Sequence, residues 1–245
     1  MSQITPFTIQ IPQTELDDLR ERLRRTRWAE KETVSDWSQG IPQAYLKEVC
    51  EYWATKYDWR ERERLLNRFP QFKTKLDGLD IHFIHVKSPV ATATPLVMTH
   101  GWPGSIVEFQ ALIPMLTDPA RFGGDPADAF TVVAPALPGY PLSFAPGQPR
   151  FGAEQIADCF VALMTRVLGY GRFAAQGGDW GAFITSRIGF AHPGVVHGIH
   201  LNLLAVPREP ARLGDSTPEE TRYRAELEHF LKEEIGYQWI QGTRP

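Results

Sequence analysis

The spacing of apolar residues changes character near residue 73. Before it the pattern is helical: Leu16, Leu19 and Leu23 recur at three- and four-residue intervals, and Tyr45, Val49, Tyr52, Trp53 and Tyr57 do so further on. Such intervals place side chains on one face of a 3.6-residue turn, so two amphipathic helices are expected, each packed through its stripe. Thr14 with Asp17 three residues later reads as a capping box for the first. Pro42 suits the first turn of the second, where its missing N–H would be unpaired anyway. Pro70 closes the helical stretch. Arg20, Arg22, Arg24, Arg25 and Arg27 form a solvated face, because acidic residues are interspersed among them.

From Lys73 the pattern is that of strands. Residues 73–76 and 79–86 flank Asp77-Gly78, a dipeptide that accepts the positive φ angles of a tight hairpin. Short apolar runs at 95–99, 130–136, 173–176 and 195–203 then alternate with helix-like stretches at 106–116, 156–168 and 182–190. The clearest stripe is Ile156, Cys159, Phe160, Leu163, Met164, Val167 and Leu168, closed by Gly169 and Gly171. This alternation predicts an α/β fold class, a mostly parallel sheet with helices on both faces. Ligands of such sheets bind at the carboxyl ends of the strands, where His100, Tyr140 and Asp179 fall. Beyond the last strand, Thr217-Pro218-Glu219-Glu220 caps a further helix with Tyr223, Leu227, Phe230 and Leu231 on its apolar face.

Composition narrows the functional classes. A chain of 245 residues has room for one large α/β domain, and 26 basic against 29 acidic residues leave a slight negative charge that argues against a nucleic-acid partner. Cys50 and Cys159 lie far apart, each within a helical pattern, and read as buried thiols of a reducing compartment. No basic segment followed by an apolar one opens the chain, and no run is long enough to span a bilayer, so a cytoplasmic protein without a transmembrane anchor is expected. Without a phosphate-cradling glycine loop or a metal-ligand cluster, no cofactor and no metal is expected.

Candidate chemistry centres on Gly177-Gly178-Asp179-Trp180-Gly181, between a strand-like run and a helix-like one. Small residues two before and two after a polar side chain describe a nucleophile elbow, a turn so sharp that bulkier neighbours would collide. The central residue here is Asp, and a carboxylate is a competent nucleophile toward a strained or activated alkyl carbon, giving an ester that water can cleave. The bland alternative is an Asp that caps its helix. Earlier in the chain, His100-Gly101-Trp102-Pro103 follows a buried strand, where this architecture supplies one half of an oxyanion hole. The backbone N–H groups of Trp102 and Trp180 are the expected pair of donors, and His100 is expected to brace the loop.

With both motifs in order, the chain resembles the epoxide hydrolases of the α/β-hydrolase superfamily, and among them the microsomal and juvenile hormone type with its N-terminal extension. The resemblance is carried by Trp53, Tyr57-Asp58-Trp59-Arg60, Leu66-Asn67, Phe69-Pro70-Gln71-Phe72, Gly78-Leu79-Asp80-Ile81-His82-Phe83-Ile84-His85, His100-Gly101-Trp102-Pro103-Gly104-Ser105 and the elbow. It implies a helical extension over 1–72, an α/β-hydrolase core over 73–205 and the start of a helical lid over 206–245. It further implies that Asp179 opens a small-molecule epoxide through an aspartyl ester, and that Tyr237, on the lid, protonates the epoxide oxygen. Tyr140, Trp102 and Trp180 are the residues expected to contact substrate.

The sequence departs from that family in two places. Pro141 follows Tyr140 where many relatives carry glycine, and the family pattern of a charge-relay acid, a second lid tyrosine and a catalytic histidine has no counterpart before Pro245. His82, His85, His197 and His200 fall in strands, His192 follows the elbow helix and His229 lies on the lid helix, so none is a natural base. The chain is therefore expected to be a fragment of a longer protein, or else a natural truncation prone to self-association into a homo-oligomer. Two other functions fit the same elbow. A haloalkane dehalogenase also uses an elbow Asp followed by Trp, and an inactive truncated domain could serve as a binding module. Tyr237 and the N-terminal extension favour the epoxide, because an alkoxide leaving group needs an acid whereas a halide does not.

Overall fold

The computed structural model describes residues 3–204 and 217–243. The chain divides into two compact units, Met1–Leu204 and Ala205–Pro245. The expected beginning of the lid, at 206–216, lies outside the described residues.

Seven strands, β1 (Ile4–Phe7), β2 (Gln71–Leu76), β3 (Leu79–Val86), β4 (Thr94–Thr99), β5 (Phe130–Pro135), β6 (Phe173–Gly177) and β7 (Val196–Leu201), form one sheet in the order β1-β2-β3-β5-β4-β6-β7. β1, β2 and β3 pair antiparallel, as do β3 and β5, whereas β5, β4, β6 and β7 run parallel. The β2–β3 hairpin turns on Asp77 and Gly78, at φ 52° and 82°, consecutive positive values that match the strand twist. Side chains alternate along the central strands and feed two cores. Val97 and Val133 join Ile81, Phe83, Phe160 and Ile184 on one face, while Leu96, Met98, Val132 and Ala134 join Ile106, Phe109 and Ile113 on the other. Burial on both faces is why these strands read as unbroken apolar runs.

The helices of the first unit are α1 (Gln13–Arg24), α2 (Gln43–Thr55), α3 (Trp59–Leu66), α4 (Leu112–Thr117), α5 (Ala153–Ala162) and α6 (Trp180–Ala191); α7 (Pro218–Glu233) and α8 (Gly236–Gly242) belong to the second. α7 carries the expected capping box between Thr217 and Glu220.

Several local expectations are corrected. α1 begins before Thr14, with Pro12 at its N-cap position and no side-chain cap, and Asp17 takes hydrogen bonds from Gln13 (2.9 Å) and Arg20 (3.2 Å) instead. The single helix expected over 106–116 is a 3-10 turn, Ile106–Phe109, followed by α4. The break puts Pro114 in the first turn of α4, where no N–H is needed and its ring meets no preceding carbonyl. The aromatic stripe of α2 is not buried: Tyr45, Tyr52 and Trp53 are exposed, and Val49, Tyr52 and Trp53 face Leu16, Leu19 and Tyr57 across a cavity of about 530 Å³. Cys159 is buried, its thiol pushed up to about 12 by that burial and by the nearby Asp77, but Cys50 is only half-buried. His197 and His200 are exposed on β7, the last strand of the sheet order.

The N-terminal segment is tied to the core by polar side chains. Asn67 accepts the Ile9 N–H at 2.9 Å and donates to the Ile9 carbonyl at 2.8 Å, and Glu63 takes the Ile11 N–H at 2.7 Å. These bonds fix the backbone that precedes α1, and β1 joins the sheet just upstream of them.

Candidate active site

β4 and β6 are adjacent, and Thr99 at the end of one pairs with Gly177 at the end of the other. The loops that leave them therefore begin side by side, at the carboxyl edge of the parallel half of the sheet.

At the turn into α6, Asp179 takes φ 52° and ψ −126°, a conformation that costs energy for a residue with a Cβ. Crowding around its glycines enforces it. A Cβ on Gly177 would overlap the Gly181 carbonyl and Thr185, one on Gly178 would meet the Asn202 side chain, and one on Gly181 would strike the backbone carbonyls of Thr99 and His100. Gly101 is constrained from the other side, since a Cβ there would collide with Asp179 itself.

Asp179 stands at the N-cap position of α6, yet its side chain makes no capping bond. Its Oδ1 instead accepts the Trp102 N–H at 2.8 Å. The bland reading of this residue as a helix cap is thereby removed. Trp180 is the first residue of α6, so its N–H has no partner in the helix ladder, and the positive end of the helix dipole lies at the carboxylate. The carboxylate is exposed, and so are the rings of Trp102 (45%) and Trp180 (53%).

His100 is buried in the loop. Its Nε2 lies 3.1 Å from the Leu137 N–H and accepts it, so Nδ1 carries the proton and donates to the Gly101 carbonyl at 2.9 Å. Burial lowers its pKa and keeps the ring neutral. The same ring meets Tyr140 edge-on, centroids 4.8 Å apart. Tyr140 is pushed up to about 12, first by burial and then by the charges of Asp179 and Glu108, so its hydroxyl keeps its proton. With Leu137, Phe151, Trp180 and Ile184 it lines a cavity of about 250 Å³. Three larger cavities, two against α1 and α2 and one beside Phe72, His85 and Tyr170, are lined by no residue of these loops.

Among the described residues no histidine bonds Asp179. His82 is buried and held neutral, its pKa down to about 3 through burial and then the Lys73 charge, and it pairs with Gln71 Oε1 at 2.8 Å. His85 pairs with the Tyr170 hydroxyl at 2.8 Å and His192 with Asp158 at 2.7 Å. Tyr237 lies on α8 in the second unit, exposed, its hydroxyl accepting from Gln238 Nε2 at 3.1 Å. No cluster of metal-ligating side chains occurs among the described residues, and none of their helices is long and apolar enough to cross a membrane.

Sequence reasoning passed over two residues at this edge. Glu108 lies beside the oxyanion loop, and the Ser105-x-x-Glu108 spacing was the signal that could have found it. Asn202, which packs on Gly178 and accepts from Gln176 Nε2 at 3.2 Å, follows β7 with no motif around it.

Residues 4–109 match the family described as epoxide hydrolase N terminus, and residues 94–220 match the α/β hydrolase fold family. A Stigmatella aurantiaca protein that bears an epoxide hydrolase name is 50% identical over 242 residues, which are 99% of this chain and 55% of that protein. The juvenile hormone epoxide hydrolase of Bombyx mori superposes with a TM-score of 0.80 at 34% identity, over 100% of this chain and 58% of the other. The Aspergillus niger epoxide hydrolase gives 0.83 at 33% identity, over 99% of this chain and 64% of the other. The chain thus spans a little over half the length of the curated relatives it matches.

Proposed function

The chain belongs to the α/β-hydrolase fold family, and from that premise we propose that it carries the nucleophilic half of an epoxide hydrolase. Asp179 attacks a ring carbon of a small-molecule epoxide, the carbon–oxygen bond breaks, and the product is a hydroxyalkyl ester of the enzyme. The departing alkoxide takes a proton from Tyr237, a role that rests on the sequence likeness alone. Tyr140 and the rings of Trp102 and Trp180 contact the substrate. When water attacks the ester carbonyl, the Trp102 and Trp180 amides stabilise the oxyanion, each donor contributing about 3 to 4 kcal/mol.

The observation that carries this reading is the hydrogen bond from the Trp102 N–H to a carboxylate that is excused from capping its own helix. The strained backbone, the crowded glycines and the neighbouring likeness to epoxide hydrolases support the same assignment. Because no histidine among the described residues bonds Asp179, the ester is expected to outlive its formation.

Intact mass after incubation with styrene oxide tests the proposal. A covalent adduct on Asp179 is expected, absent in Asp179→Asn and slower to form in Tyr237→Phe. Halide release from a chloroalkane, with neither adduct nor diol from the epoxide, would favour a dehalogenase, and inertness toward both would remove the catalytic reading.

A further inference from the structure

The oxyanion loop reaches Asp179 with its Trp102 N–H, and His100 braces only its first residues, through the Gly101 carbonyl. Glu108, in the 3-10 turn that follows, supplies a second support. Its Oε1 accepts the Ser105 N–H at 3.1 Å, and the Gly101 backbone faces the same carboxylate. Gly104 has no room for a Cβ because the Glu108 carboxylate fills that space. The carboxylate thus touches residues on both sides of Trp102, at the start and at the end of the loop. It is partly buried, and that desolvation, with a lesser contribution from the charge of Asp179, raises its pKa.

We propose that Glu108 is the positioning residue of the oxyanion loop: its carboxylate ties Gly101 to Ser105 and so holds the Trp102 N–H on Asp179. The inference rests on the assignment of Asp179 as nucleophile, but the placement of the amide can be measured without any reaction. The competing explanation is that Glu108 only completes the capping box of the short turn, with Ser105 Oγ accepting the Val107 N–H at 3.3 Å.

Three variants separate the two. Glu108→Ala removes the tie, Glu108→Gln keeps an oxygen that can accept the Ser105 N–H, and Ser105→Ala removes the Oγ cap while leaving the Ser105 N–H on Glu108. Adduct formation with styrene oxide is expected to slow about 10- to 100-fold in E108A, because a carboxylate no longer held by the Trp102 N–H loses its alignment on the ring carbon, and to stay within about threefold of the parent chain in E108Q and S105A. In parallel, the Trp102 amide proton in NMR is expected to lie downfield, as a hydrogen-bonded amide does, in the parent, E108Q and S105A, and to move upfield in E108A. If E108A does not fold, E108D, one methylene short of the loop, is read in its place.

A parent-like rate and Trp102 amide shift in E108A would overturn the proposal. So would an E108Q as slow as E108A, or an S105A that loses as much as either. If the parent chain forms no adduct, the nucleophile assignment fails by itself, and the Trp102 amide shift alone still decides whether Glu108 sets the loop.

Discussion

Two aspartates share one backbone angle and nothing else. Asp77 at the hairpin tip and Asp179 at the elbow are the non-glycine residues with positive φ among those described, both at 52°. At the hairpin the conformation is local: Gly78 follows at φ 82° with open space where its Cβ would be, and the turn needs only two strands to join. At the elbow it is imposed from outside, by Thr99 at the end of β4, His100 just after it, Thr185 on α6 and Asn202 after β7, each pressed against a glycine. A short turn can be strained by its own sequence, whereas a strained residue that must hold a reactive side chain needs tertiary walls around it.

One change made at both sites separates them most strongly. Asp→Asn keeps the shape and tolerance of positive φ, so both variants should fold with nearly parental stability. Adduct formation should vanish at 179 and be untouched at 77, read by intact mass. Next come the glycines. Gly181→Ala should destabilise by about 3 kcal/mol or more, because its methyl meets main chain that cannot move aside. Gly78→Ala should cost only about 1 to 2 kcal/mol, the penalty of the left-handed conformation itself. Urea denaturation of the pair measures the difference, and equal losses would mean the elbow is no more confined than the hairpin.

Acid should distinguish the regions more gently. His82 on β3 is neutral when folded, with a pKa near 3 against an ordinary value of 6.5. The unfolded chain therefore binds the extra proton between those values, and stability present above pH 6.5 is lost as pH falls. The slope from this residue is at most about 1.4 kcal/mol per pH unit. Unfolding curves between pH 6.5 and 5 should flatten by up to that amount in His82→Gln, and an unchanged slope would mean that His82 is protonated in the folded protein.

The same contrast explains what could be read from the chain alone. The Asp77-Gly78 turn, the doubly buried β4 and β5 runs and the glycine spacing about Asp179 are each visible within a few residues of sequence. β1 was not, because Ile4-Thr5-Pro6-Phe7 has no alternating pattern and becomes a strand only by pairing with β2. The break before α4 was hidden because the apolar spacing runs on through Pro114, and the false start at Thr14 arose because capping letters can also sit inside a helix. At the site, Asp179, Trp102 and the bracing role of His100 could be anticipated from motif order. The support from Asn202 could not, because it depends on two distant segments meeting at one glycine.

The bond from the Trp102 amide also makes the two oxygens of a single carboxylate unequal. With Oδ1 engaged by a main-chain donor, the lone pairs of Oδ2 are the ones left for carbon, and on the proposed reading Oδ2 becomes the bridging atom of the ester. Oδ1 then remains the carbonyl oxygen, already seated where negative charge gathers when water adds. One amide would thus choose which atom forms the new bond and afterwards shelter the other, without either having to change place.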